Sequence, residues 1–164
     1  DPNHSGNALL EVQKEDLAKQ LSPHVTVGDF AKIGERKQMR YAREGDTFKV
    51  GKEYYNRYIR IDPNLLQRIE TLHGLTTARL PIIDGYRTFG YNTRMYWSLR
   101  KTPTSSWHSS GKAVDIRVQP KKVSLQIQQL FENDGIGFGR SFVHLDTRGS
   151  KARWYYFFGK KKRS

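Results

Sequence analysis

A chain of 164 residues is long enough to bury one ordinary core and too short for two comfortable ones. The apolar fraction of 36% is low, but 3 Trp, 9 Tyr and 8 Phe supply large surfaces for burial, which excludes a disordered chain. With no cysteine there are no disulfides and no thiolate ligands, so any zinc has to be held by imidazole and carboxylate. No apolar run approaches the roughly 18 residues of a membrane span, and the opening residues do not read as a charged start, apolar stretch and small-residue cleavage site, as is expected of a trimmed mature form. The formal charge of +13 predicts attraction to a polyanion without naming it, and part of it is bunched in a basic tail at 159–164, read as solvated.

Residues 1–23 are polar, with Leu9, Leu10, Leu17 and Leu21 spaced for a partly helical lead-in apart from the core of a domain at 24–158. Val25, Val27, Phe30 and Ile33 then anchor a short helix, and the basic stretch Arg36 to Arg43 is expected to pair as a strand with Thr47 to Val50. Tyr58 to Ile61 alternates as a strand does, and Asp62-Pro63 supplies an N-cap and an N-terminal proline for a helix. Leu65, Leu66, Ile69 and Leu72 share one face of that helix, and Gly74 ends it. A short strand, Leu80 to Ile83, runs into the polar turn Asp84-Gly85-Tyr86-Arg87, placed where a sheet end meets a cleft. A helix over Tyr91 to Arg100 stops before Pro103, and Ala113 to Val118 reads as a buried strand. Val123, Ile127, Leu130 and Phe131 form the stripe of a helix over about 122–133, and strands follow at about 137–146 and 153–158. This order predicts an α+β domain: an antiparallel sheet with helices packed on one side.

The informative segment is Ser106-Trp107-His108-Ser109-Ser110-Gly111-Lys112-Ala113-Val114-Asp115-Ile116, with Phe142-Val143-His144-Leu145-Asp146 far downstream. Side chains alternate along a strand, so if Val114 and Ile116 face the core, Asp115 faces a cleft. If Val143 and Leu145 face the core, then Phe142, His144 and Asp146 share that cleft face. Gly111 permits the tight loop that brings His108 back over the strand. Two imidazoles and one carboxylate thus converge, a donor set that suits a catalytic zinc with one position left open. His24 and His73 have no partners at ligand spacing and read as structural, and His4 is assigned nothing.

The pattern Ser-x-His-x-x-Gly-x-Ala-x-Asp, with Phe142-Val143-His144 downstream, resembles peptidase family M15, which contains D-Ala-D-Ala carboxypeptidases and murein endopeptidases. Leu21-Ser22-Pro23-His24-Val25-Thr26-Val27-Gly28-Asp29-Phe30 is similar to the opening of the phage-type and periplasmic branch. The likeness runs to Trp154, about four-fifths of the chain. It implies the hedgehog-like zinc fold, one Zn2+ on His108, Asp115 and His144, and a substrate-binding or carbonyl-stabilising role for Arg87. Tyr86 and Asp84 of the same turn are expected to line the cleft, and Trp107 and Trp154 either to wall it or to pack. The implied substrate is the stem peptide of peptidoglycan, reached outside the cytoplasm by a protein expected to be monomeric. Endopeptidase action is favoured over carboxypeptidase action.

Many M15 members carry an acidic general base three residues before the last histidine, where this chain has Ser141. Asp146 is then the first choice of base, with a second reading in which its carboxylate orients His144. Asp84, on the loop expected to line the same cleft, is the second choice. The departure at Ser141 also keeps open a catalytically inactive, zinc-containing module that binds cell wall or protein. Nucleic-acid binding ranks lower, because the basic residues are not interleaved with a stacking platform.

Overall fold

The computed structural model describes residues 7–34 and 36–156. The expected basic tail at 159–164, the last residues of the strand expected to reach 158, and His4 lie outside the described residues.

In chain order the elements are β1 (Leu10–Glu11), β2 (Gln20–Ser22), β3 (Val25–Thr26), α1 (Val27–Ala31), β4 (Lys32–Gly34), β5 (Thr47–Val50), β6 (Glu53–Asn56) and β7 (Tyr58–Ile59). Then come α2 (Pro63–Leu75), β8 (Ile82–Asp84), α3 (Phe89–Ser98), β9 (Ala113–Arg117), α4 (Ser124–Leu130), β10 (Gly135–Phe138), β11 (Phe142–Asp146) and β12 (Ala152–Tyr155). The helix starts follow from their caps. Thr26 and Asp29 form a reciprocal capping box on α1, Asp62 accepts from Asn64 N with Pro63 beside it on α2, and Thr88 accepts from Tyr91 N on α3.

The central sheet has five strands in the order β12-β10-β11-β9-β8. Its inner face is continuous: Val143 lies opposite Ile116, Leu145 opposite Val114, and Ile136 opposite Leu145, all fully buried. Leu65, Ile69 and Leu72 of α2 and Ile127 of α4 join the same core cluster. Each such side chain contributes about 1.5–3 kcal/mol when withdrawn from water.

Five expectations change. The strand expected over about 137–146 is a hairpin of two, β10 and β11, paired antiparallel and broken at 139–141. β12 runs parallel to β10, so the sheet is mixed rather than antiparallel throughout: the chain rounds the start of β10 and lays β12 along its free side. Arg36–Tyr41 is a 3-10 turn, and β5 pairs instead with β6 across the tight turn at Gly51, whose φ is 61°. The segment before His24 is stitched into the fold: β1 pairs with β7, β2 with β3, and Val12 is buried in the core. Finally, α3 does not bring its apolar side to the core; its buried residue is Asn92, whereas Trp97 is 64% exposed. It leans on the 3-10 turn, with Arg94 Nε donating to Tyr41 O at 2.6 Å.

The two histidines without ligand spacing serve the scaffold. His24 stacks on His73 with ring centroids 4.1 Å apart, and its Nδ1 lies 2.6 Å from Glu70. Ser22 Oγ and His24 N also donate to Glu70, so this one carboxylate clasps the β2–β3 hairpin to α2. Burial disfavours its charged form, but these hydrogen bonds outweigh that and hold its pKa below the usual carboxylate value. A depressed carboxylate stabilises the fold above its ordinary pKa, and that stability is lost as the pH falls. We therefore expect Glu70→Gln to lose about 1–2 kcal/mol at pH 7 in urea unfolding. The gap to the unaltered chain should close as the pH drops below about 4.5.

Candidate metal centre

One row of residues crosses the outer face of the central sheet. The strand registers place Trp154 opposite Gly137, Gly137 opposite His144, His144 opposite Asp115, and Asp115 beside Asp84. The alternation that sends Val114, Ile116, Val143 and Leu145 inward sends these side chains the other way. His108 reaches the row from a 3-10 turn, Trp107–Ser110, that Ser106 caps. Gly111 ends the turn at φ 75°, and any Cβ there would overlap the backbone of Arg60. Its carbonyl also accepts from Asp62 N, which fastens the turn to the start of α2.

The structure brings His108, Asp115 and His144 together: one ligand atom from each lies within 4.8 Å of the others. Asp115 Oδ1 is 3.0 Å from His144 Nδ1 and 3.5 Å from His108 Nε2. The outward nitrogens are held by groups that only accept. His108 Nδ1 donates to the Gly85 carbonyl at 2.7 Å, and His144 Nε2 donates to Asp146 Oδ2 at 2.7 Å. Each ring therefore presents its other nitrogen towards Asp115, the arrangement metal-binding histidines need.

Asp146 is fully buried, and both its oxygens are engaged. Arg148 donates through Nε to Oδ1 at 2.8 Å and through Nη2 to Oδ2 at 2.7 Å, and Arg148 N adds a third bond to Oδ1 at 3.2 Å. Opposite Asp146 on the neighbouring strands stand Ala113 and Gly135, and a Cβ on Gly135 would overlap the carboxylate. The guanidinium of Arg148 lies 4.9 Å from the Trp154 ring and 5.5 Å from the Trp107 ring, a cation between two aromatic faces. Trp154 also packs at 5.1 Å against His144, so both tryptophans wall the Arg148 side of the site.

The electrostatics follow. Burial works against the charge on Asp115, but His108 and His144 overcome it and hold its carboxyl well below the usual range. Burial likewise opposes ionisation of Asp146, yet the bonds from Arg148 and His144 bring it down to about 2. His144 is desolvated, which favours the neutral ring, but the two carboxylates flanking it raise it to about 8. Two ionised carboxylates thus stand ready around nitrogens that a cation could take up in place of a proton.

The turn after β8 is held just as closely. Arg87 Nη2 donates to Asp84 Oδ2 at 2.6 Å, and Asn92 Oδ1 lies at 3.5 Å from Nη1. Tyr86 is buried, with its hydroxyl close to Arg60, so little of its ring faces the cleft. Gly85 touches Phe30, where a Cβ would stand 2.7 Å from Cα. Ser141, where many M15 members have an acid, is exposed just ahead of β11. Sequence reasoning missed Arg148, Gly135 and Gly137; the signal for the arginine was its place two residues beyond a buried aspartate at a strand end.

A family model described as peptidoglycan L,D-endopeptidase MepK, among the M15 peptidases, matches residues 29–154. The chain belongs to this family. Among curated relatives, one from Haemophilus influenzae, named Probable peptidoglycan L,D-endopeptidase MepK, is 34% identical over 100 residues, covering 56% of this chain and 53% of its own length. Peptidoglycan L,D-endopeptidase MepK of Escherichia coli K12 and that of Shigella flexneri are each 29% identical over 109 residues, covering 60% of this chain and 57% of theirs. The chain spans little more than half the length of these relatives. No solved structure matches it.

Replacing Gly111 by Ala forces both a positive φ on a residue with a Cβ and an overlap with the Arg60 backbone. We expect a loss of at least about 2 kcal/mol in urea unfolding, with weaker metal binding because His108 rides on this turn.

Proposed function

We propose that the chain is a zinc-dependent endopeptidase that cuts stem-peptide or crosslink amide bonds of peptidoglycan. The observation that supports it best is the meeting of two imidazole nitrogens and one carboxylate from three separate stretches, in a chain of this family. Relatives carry the name L,D-endopeptidase, and we extend that bond type to this chain. The donor set fits zinc. Bonds of about 2.0–2.1 Å in a tetrahedron require ligand atoms about 3.3 Å apart; the separations at Asp115 are 3.0 and 3.5 Å, and all three ligand atoms lie within 4.8 Å of one another. The net charge of +13 suits an anionic wall, and work on that wall places the protein in the periplasm or outside the cell. No helix among the described residues is long and apolar enough to cross a membrane.

Zinc held there would supply Lewis-acid polarisation of the scissile carbonyl and a water acidic enough to attack near neutral pH. The chain's own residues do the rest. Asp146, locked by Arg148 and sealed from solvent, keeps a proton on His144 Nε2 and so aims Nδ1 at the site. Asp84 is the better proton acceptor of the two candidates, because it stands beside Asp115 and its side chain is 32% exposed, whereas that of Asp146 is sealed. Arg87, steadied by Asp84, keeps a fixed positive charge at the rim for a substrate carbonyl or carboxylate oxygen.

Purified muropeptides, separated by chromatography after incubation, test this. The protein as isolated with zinc should cleave them, and chelated protein or His108→Ala should not; equal product in all three overturns the proposal. The two carboxylates separate in the same assay. Asp84→Asn should keep its zinc and lose about 100-fold or more in kcat, as removal of a general base does. Asp146→Asn should instead weaken zinc affinity about 10–100-fold, read by competition with a chromogenic chelator.

A further inference from the structure

A groove of about 620 Å³ opens on the far side of Asp84 from the metal ligands. One wall is β8, the other is β4, and Arg117 and Tyr91 reach into it. β8 is the outermost strand of the five-stranded sheet and β4 that of the three-stranded sheet β4-β6-β5, so the groove is flanked by two strand edges that no further strand covers among the described residues. Asp84 also lines the smaller cavity that holds Arg87, which makes the groove continuous with the row of site residues.

Its other charges have partners within the protein. Lys32 Nζ lies 3.5 Å from Glu53 Oε1, the second oxygen of that carboxylate being buried without a hydrogen bond, and Asp84 pairs with Arg87 at 2.6 Å. Arg117 stands apart: among the described residues no carboxylate pairs with its guanidinium, and its side chain is exposed. It lies two residues beyond Asp115 on β9, on the same face of the sheet, about 7 Å along the strand. A guanidinium at that distance, with no carboxylate on it among the described residues, is a planar, two-pronged receptor for a carboxylate.

We propose that this groove seats one peptide arm of the crosslinked substrate, extended along the open edge of β8, with Arg117 binding a free carboxylate of that arm. The proposal rests on the peptidase reading and adds to it where the substrate lies and which of its groups is recognised. An exposed strand edge offers backbone donors and acceptors to any extended peptide, so it supplies attachment without selectivity. Arg117 supplies the selectivity: a stem peptide brings free carboxylates, whereas a neutral peptide would leave the cation unmatched.

The test compares the unaltered chain with Arg117→Ala and Arg117→Lys on a crosslinked muropeptide and on the same muropeptide with its carboxylates amidated. Steady-state kinetics and equilibrium binding are both measured. Arg117→Ala should raise KM and Kd for the free acid about tenfold, with a smaller change in kcat. It should have little effect on the amidated form, and Arg117→Lys should recover part of the loss. Zinc content and thermal unfolding should match the unaltered chain, since Arg117 is exposed. Unchanged KM and Kd in Arg117→Ala, with the unaltered chain active, overturns the groove and leaves the peptidase reading standing. Binding without metal-dependent cleavage overturns the peptidase reading, and the Arg117→Ala affinity still decides the groove. If the unaltered chain neither binds nor cleaves, both fall.

Discussion

The register between β9 and β11 is the constraint on which the site depends. It sets His144 directly opposite Asp115, and the same register sets Ile116 opposite Val143 and Val114 opposite Leu145 on the inner face. A slip of one residue would turn every side chain to the other face, burying an aspartate and a histidine and exposing aliphatic groups. The core therefore enforces the site. The hydrophobic residues that give the sheet its stability also fix the distance between the polar atoms on its reverse.

Around that pair the chain builds supports of different kinds. His108 is not on the sheet at all; its position comes from a capped turn, a left-handed glycine and a bond to the Gly85 carbonyl. His144 is on the sheet, but its ring is aimed by a buried carboxylate that is itself gripped by Arg148. Small neighbours make room for this: Gly135 beside Asp146, and Gly137 beneath Trp154 and Tyr156. A charge as deeply buried as that on Asp146 is tolerable only because every lone pair has a donor.

Much of this can be read from residues alone, for one reason: strand alternation is a strong rule, so the phase of Val114 and Ile116 fixes that of Asp115, and the phase of Val143 and Leu145 fixes that of His144. Helix α2 was similarly legible through Asp62-Pro63 and its apolar face. What escaped was long-range or conformational. Whether Thr47–Val50 pairs backwards or forwards depends on which turn is tighter, and Gly51 decides it. The direction of β12 depends on how the chain rounds its neighbour, which no local pattern encodes. In α3, apolar residues at helical spacing implied a core-facing stripe, yet the helix sits beside the cleft and buries Asn92 instead, whose Nδ2 donates to Thr104 O. Arg148 escaped because an arginine after a strand is ordinarily solvated; only the Asp146 well and the two indoles give it a fixed place.

The parallel placement of β12 bears on how this protein can vary. From Thr147 to Lys151 the backbone has to swing around the first residue of β10, turning at Gly149 with φ 85°, before Ala152 comes level with Gly135. Gly149 N donates to Asp134 on the way, and Arg148 hangs from the middle of the swing. This short connector is thus both hinge pin and tether. Lengthening or shortening it would shift the guanidinium away from Asp146 while leaving the hydrophobic interior whole, so one inserted residue just past β11 would unsettle the aim of the His144 ring in an otherwise well-folded chain.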